Sequence, residues 1–407
     1  MNIQHAMGNR QINSSSTWYL YLGGIKTQKM KSKLIYIVAS VSLIVSCNTK
    51  KPFHEAEVKN PEFIPNTAFV SSEDLSSPKF HALKMKYQLD TIFHGEKDEL
   101  KRILLLRNWI RKIININDFG DPYPGDGYAE GILDAALKGQ GFHCGHYMIV
   151  QNAVMNAFGY VTRCLGSGPG VKGGPDGHHG INEIWLNKYN KWFLSDAKYN
   201  HHFEKNGIPL SALEVRDEYL KNKAADVVLV KGPDRTPIEF DGVADKNGKI
   251  RQVSRAGFAQ WYTWIEWEKS NNRFIAWPAF DSKLNMYEDD YFKNHTWIWD
   301  GKPHWAYNKP EYMIRVNERK AIAWTPNTIS SKVAMEGNKA KIELHSVTPN
   351  LKTYQMKITD GGQVDSGWKD VSNISEIELK KDTNEIVFRV MNLAGITGPE
   401  HTIIIER

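Results

Sequence analysis

Three short segments, in a fixed order, constrain this chain more than anything else in it: Gly141-Phe-His-Cys144-Gly-His-Tyr147, then His179-Gly-Ile-Asn-Glu183, then Trp192-Phe-Leu-Ser-Asp196. Cys144 heads a mostly apolar run to Phe158, and Gly159 follows as a stop, so the spacing predicts a buried helix with the cysteine at its start. Ile181–Leu186 and Trp192–Ala197 have the character of two strands, joined by the turn-forming Asn187-Lys-Tyr-Asn190. With the turn centred there, Asp196 pairs close to Ile181 and His179 is its diagonal neighbour on the same face.

Cysteine, histidine and aspartate are the three parts of an activated thiol nucleophile. At a helix start, unpaired backbone N–H groups and the positive dipole end favour thiolate over thiol. The N–H of Cys144 can also face the oxyanion formed when the thiolate attacks a carbonyl. Gly141 and Gly145 leave room for a substrate. On the hairpin, Asp196 would hold one ring nitrogen of His179 and leave the other for the thiol. The competing reading is structural: a buried cysteine, with a histidine and an aspartate serving the core.

The order of these segments resembles the transglutaminase-like superfamily, whose core is similar to papain-like cysteine proteases. The resemblance spans about residues 80–200. It rests on the helix opened by Cys144, on Gly159-Tyr-Val-Thr-Arg163, on His179 four residues before Glu183, and on Trp192 four before Asp196. Ile181 departs from the pattern, which usually has an aromatic residue there, and His178 adjoins His179. The resemblance implies an α+β fold with a transglutaminase-like (papain-like) core. It implies Cys144 as nucleophile, His179 as general base and acid, and Asp196 as the orienting carboxylate. It also implies thioester chemistry on a peptide, glycopeptide or other amide, by hydrolysis or acyl transfer, with no cofactor and no metal.

The N-terminus has the pattern of a targeting segment. Met30-Lys-Ser-Lys33 is basic, Leu34–Val45 is apolar, and Ile44-Val-Ser-Cys47 resembles a bacterial lipobox, with Cys47 as the lipidated residue. The alternative is an uncleaved anchor helix. The expected protein is a lipid-anchored envelope lipoprotein, facing the periplasm or the surface. This bears on charge. The chain carries 52 Lys+Arg against 46 Asp+Glu, but residues 1–47 hold five bases and no acid, which leaves 47 against 46. The basicity belongs to the leader, so no nucleic-acid partner is inferred. Three cysteines exclude a disulfide-rich scaffold, although a Cys144–Cys164 bridge would silence the thiol.

The expected organisation is a leader (1–47, signal 30–47), a Pro- and Ser-containing tether (48–79), a catalytic domain with an aromatic-rich extension (80–328) and a small immunoglobulin-like or fibronectin-like β-sandwich (332–407). Leu100, Ile103, Leu104, Arg107, Ile110, Arg111 and Ile114 show helical spacing. Phe80–Phe93 suits an extended segment or a short helix. Gly166–Gly177 is expected to be a loop bordering the cleft. Strand-like runs lie at 341–347, 353–358, 374–379, 385–390 and 401–406. Two rival functions stand beside the thiol. His143, Cys144, His146, His178, His179, His201 and His202 offer metal-ligand chemistry, although a lone Cys lacks paired spacing. The tryptophans at 261–305, Trp297-Ile-Trp299 among them, suit a non-catalytic glycan- or protein-binding module.

Overall fold

The computed structural model describes residues 51–67, 69, 73–118, 129–169, 178–244, 249–268, 284–287, 298–299, 302–303, 313–360, 363–364 and 367–407. The leader with Cys47, residues 170–177 of the glycine-rich loop, and Trp277, Trp297 and Trp305 lie outside the described residues. The helices are α1 (Pro78–Lys86), α2 (Glu99–Ile113), α3 (Ala129–Leu137), α4 (Cys144–Ala157), α5 (Ala212–Asn222) and α6 (Arg255–Gln260).

Helix α2 follows its sequence pattern closely. Asp98 caps it by accepting the N–H of Lys101, and Arg111 and Lys112 sit in its last turn, where positive charge suits the dipole. Leu100, Ile103, Leu104 and Ile110 form its buried stripe, and Arg107 lies buried among them. Every residue of α4 is buried, as its apolar sequence requires. Helices α1, α2 and α3 pack on it from one side and the main sheet from the other. Gly159 ends it at φ +78, a conformation that favours glycine, with Asn392 of the C-terminal region accepted at its carbonyl.

The main sheet has six strands in the order Met313–Val316, Leu284–Tyr287, Trp264–Glu268, Thr162–Gly168, His179–Leu186, Lys191–Ser195. All its pairings are antiparallel except the first, which is parallel. One face meets α4 through Ile184 and Leu186, and the other meets α5 and α6 through Leu165, Ile181, Leu194 and Trp267. Residues Gly166–Gly168 belong to a strand, so the expected loop begins later than the glycines suggested.

The C-terminal region is two β-sheets sharing one core of Ile342, Leu344, Tyr354, Ile386, Phe388, Ile403 and Ile405. Helices and largely antiparallel sheets occupy separate stretches, which makes the fold α+β. One expectation is corrected. Residues 48–79 are not a free tether, because His54–Lys59 is an edge strand of the larger C-terminal sheet, paired antiparallel with His401–Glu406. The backbone there makes the bonds, and the side chains are largely exposed, so hydrophobic patterning could not mark it. Further along, Ile64 N–H donates to Thr325 and Leu75 N–H to Asn350, and Pro78 already opens α1. The segment Phe80–Phe93 is helical, as α1 and a 3-10 turn over Leu89–Phe93.

Candidate active site

Cys144 is the first residue of α4, 7% exposed, with its sulfur at the end of the helix where backbone N–H groups have no helical partner. Gly180 explains how this helix start comes so close to the sheet. A Cβ on Gly180 would stand 3.2 Å from Gly145 Cα and 3.5 Å from the Cys144 carbonyl carbon. Gly180 and Asn182 face α4, and His179 and Ile181 point to the other side of the strand, by simple alternation. The bare position at Gly180 lets the cysteine sit at the strand end where His179 begins.

Asn182 pairs with Ser195, so Asp196 falls opposite Ile181 and on the face of His179. The diagonal contact expected from the hairpin is present: His179 Nε2–H donates to Asp196 Oδ2 at 2.6 Å. Both are essentially sealed from solvent, at 1% and 0% exposure. The other ring nitrogen, Nδ1, is the one left for the thiol. Cys144 and Cys164 are not joined by a disulfide, so no bridge removes the Cys144 thiol.

Asp196 is held from several directions. The Tyr199 N–H donates to Oδ1 (3.1 Å), and the Tyr262 hydroxyl donates to Oδ2 (3.0 Å). Asp196 and His201 exchange backbone hydrogen bonds at 3.1 Å, closing a tight turn. Arg107 of α2 secures that turn from below: its guanidinium donates to the Asn200 side chain (3.1 Å) and to the His201 carbonyl (2.9 Å). Around the imidazole of His179 stand Tyr199, Trp261 and Tyr262, with ring centroids 5.6, 5.6 and 6.2 Å away. Two members of this cage, Trp261 and Tyr262, come from the turn between α6 and the Trp264–Glu268 strand, inside the aromatic-rich extension.

The charges follow from this packing. Burial opposes ionisation of Cys144, but hydrogen bonds from His143, His178 and His179, with the charge of His179, outweigh it and hold the thiol well below its ordinary value. Burial likewise disfavours the His179 cation, yet the Asp196 carboxylate and the Cys144 sulfur push it up to about 9. Asp196 sits well below the usual carboxylate range because His179, His201 and the Tyr199 amide outweigh its burial. Both shifts favour a thiolate–imidazolium pair over the neutral thiol and imidazole. The pair offers a ready nucleophile and a proton for a leaving group.

The remaining residues of the sequence pattern meet elsewhere. Arg163 and Glu183 are register partners, and their side chains form a buried ion pair at 2.5 Å. The Arg163 guanidinium lies 4.0 Å over the Trp192 ring, and the Trp267 indole N–H donates to the same Glu183 oxygen. They line a cavity of about 270 Å³ that includes none of Cys144, His179 and Asp196. These residues brace the strands rather than touch the thiol.

The cage and the clamp were not found from sequence. Tyr262 and Trp261 belonged only to a diffuse aromatic cluster. Arg107 stood on an apolar helical stripe, and a charge at such a position is the signal that a buried partner exists. Among the described residues, no group of three or more His, Cys, Asp or Glu side chains is arranged to hold a metal ion, and His201 and His202 are core residues. Family models and curated proteins give no match to this chain.

Proposed function

We propose that the protein is a transglutaminase-like cysteine hydrolase acting on a peptide or other amide bond through a thioester. The observation that carries this is the buried His179–Asp196 pair at 2.6 Å with its free ring nitrogen beside a helix-opening cysteine. In this reading the Cys144 thiolate attacks the carbonyl carbon, forming a C–S bond while the C=O pair moves to oxygen. The Cys144 N–H meets that oxyanion. Collapse breaks the C–N bond, and the His179 imidazolium gives its proton to the leaving amine. Water then attacks the thioester, His179 takes its proton, and the carboxylic acid leaves as the thiolate is restored. Acyl transfer would replace that water by an amine. The fold implied is a transglutaminase-like core, with a C-terminal sandwich of immunoglobulin-like or fibronectin-like type as a spacer or docking module. Lipidation at Cys47 and an envelope location complete the proposal.

The test is thiol reactivity in the full chain. Iodoacetamide is applied from pH 4 to 9 and the adduct located by mass spectrometry. Rapid labelling of Cys144 below pH 7, slowed in His179→Ala, is the expected result. Labelling only near pH 8.5, the range of an ordinary thiol, would sink the proposal and favour a binding module.

A further inference from the structure

The sheet face that meets α4 carries a carboxyl close to the start of that helix. In the Trp264–Glu268 strand, Ile265 and Trp267 turn to the side of α5 and α6, so Glu266 and Glu268 turn to the side of α4. Glu266 pairs with Gly166, and Gly166 in turn pairs with Gly180. The row across these three strands is therefore one carboxyl and two bare positions. Glu266 fills the first: a Cβ on Gly166 would stand 2.6 Å from its Oε1 and 3.2 Å from its Cδ, so the carboxyl lies over Gly166, bent towards Gly180. Helix α4 fills the second: a Cβ on Gly180 would stand 3.2 Å from Gly145 Cα. Paired Cβ positions on one face are about 4.5–5.5 Å apart, which sets the Glu266 carboxyl about 5–10 Å from the helix start that carries Cys144. The carboxyl is buried, and Gly166 beneath it is partly open to solvent.

We propose that Glu266 is a specificity-determining residue of this site, whose carboxylate takes an ammonium group carried by the substrate within a few bonds of the scissile amide. The proposal rests on the cysteine-hydrolase reading and narrows its substrate class to amides bearing a primary amine. Its ground is placement. Two glycines clear the way between the carboxyl and the helix start, and the span left is that of a short side chain or an α-amino group. Charge points the same way. Glu268, also buried, stands two positions along the same face, and a cation bound beside the two acids offsets their repulsion. His179 and Asp196 lie on the opposite face of their strands, so the ammonium would meet the carboxyl without displacing that pair.

Thiol reagents of similar size and different charge test this in the full-length protein. Rates of Cys144 modification at pH 7 are measured with 2-aminoethyl methanethiosulfonate, which brings an ammonium to the sulfur, and with neutral propyl methanethiosulfonate. Adducts are located by mass spectrometry, with Cys164 counted separately. The expected result is a cationic-to-neutral rate ratio about 10-fold lower in Glu266→Gln than in the wild type. Gly166→Ala keeps the charge but its Cβ displaces the carboxyl, so it should lower the ratio too, and it decides the case if Glu266→Gln fails to fold. A ratio that stays at the wild-type value, with Cys144 still activated in the iodoacetamide titration, would make Glu266 a structural acid of the sheet and overturn this proposal alone. A wild-type Cys144 that titrates as an ordinary thiol would instead overturn the hydrolase reading and this proposal together.

Discussion

At the scale of single residues, the proposed roles of Cys144 and His179 carry a pH dependence. His179 is raised, so its proton is retained through neutral pH and lost as pH rises through about 9. Cys144 is lowered, which favours the thiolate. If the proposed amide hydrolysis takes place, it should fall above about pH 9, where a neutral imidazole cannot protonate the leaving amine. A pH–rate profile checks this, and activity still rising at pH 10 would contradict it. Gly180→Ala probes the close approach: its Cβ would push on Gly145 and Cys144, so about a 10-fold loss of turnover is expected at little cost in stability. Glu266 is a separate case. Burial and the neighbouring Glu268 push it up to about 8. A carboxyl raised in the fold stabilises fully below its ordinary value near 4.3 and loses that stability as pH rises through the folded value. Glu266→Gln should be nearly neutral at pH 4 and stabilising by on the order of 2–4 kcal/mol at pH 8. Melting curves at the two pH values decide, and a gap that does not widen refutes it. Cys144, His179 and Asp196 were legible because each lies at the end of an element that its own neighbours define. Tyr262 was not, because nothing within its local sequence refers to Asp196, 66 positions away.

At the scale of elements, the site depends on strand register. One step of slippage in the hairpin would turn Asp196 away from His179. The buried Arg163–Glu183 pair, covered by Trp192 and capped by Trp267, holds four adjacent strands in step. Glu183 also accepts the Ala212 N–H at the start of α5 (2.8 Å), tying that helix to the same point. The spacing of His179 to Glu183 and of Trp192 to Asp196 thus has a mechanical sense: each chemical residue stands four positions from a brace residue. Glu183→Gln leaves a buried guanidinium without its counter-charge and should cost about 3–5 kcal/mol, measured by urea denaturation. A loss under 1 kcal/mol would mean the pair does not set the register. The hairpin and α2 were readable because period and turn chemistry agree there. The edge strand at residues 54–59 was not, since it contributes backbone pairing and almost no buried side chain.

At the scale of the whole molecule, the C-terminal region is bound to the residues before it at several points. Asn392 donates to the Gly159 carbonyl at the end of α4, and Asn350 holds the Glu73 carbonyl. The sheet that receives His401–Glu406 is finished on its outer side by His54–Lys59. Deleting residues through Lys59 should lower the melting temperature and expose the His401–Glu406 edge to proteolysis, which limited trypsin digestion would show. An unchanged digestion pattern would mean the strand contributes no protection. This pairing has a consequence for how the chain comes to exist. His54–Lys59 must wait for His401–Glu406, made much later, before it is paired. A chain cut short by premature termination, or nicked and separated from its end, keeps an open β-edge of the kind that quality-control proteases and aggregates recognise. The outer pairing of this sheet thus joins two strands made far apart in time, and it forms only once His401–Glu406 has been made.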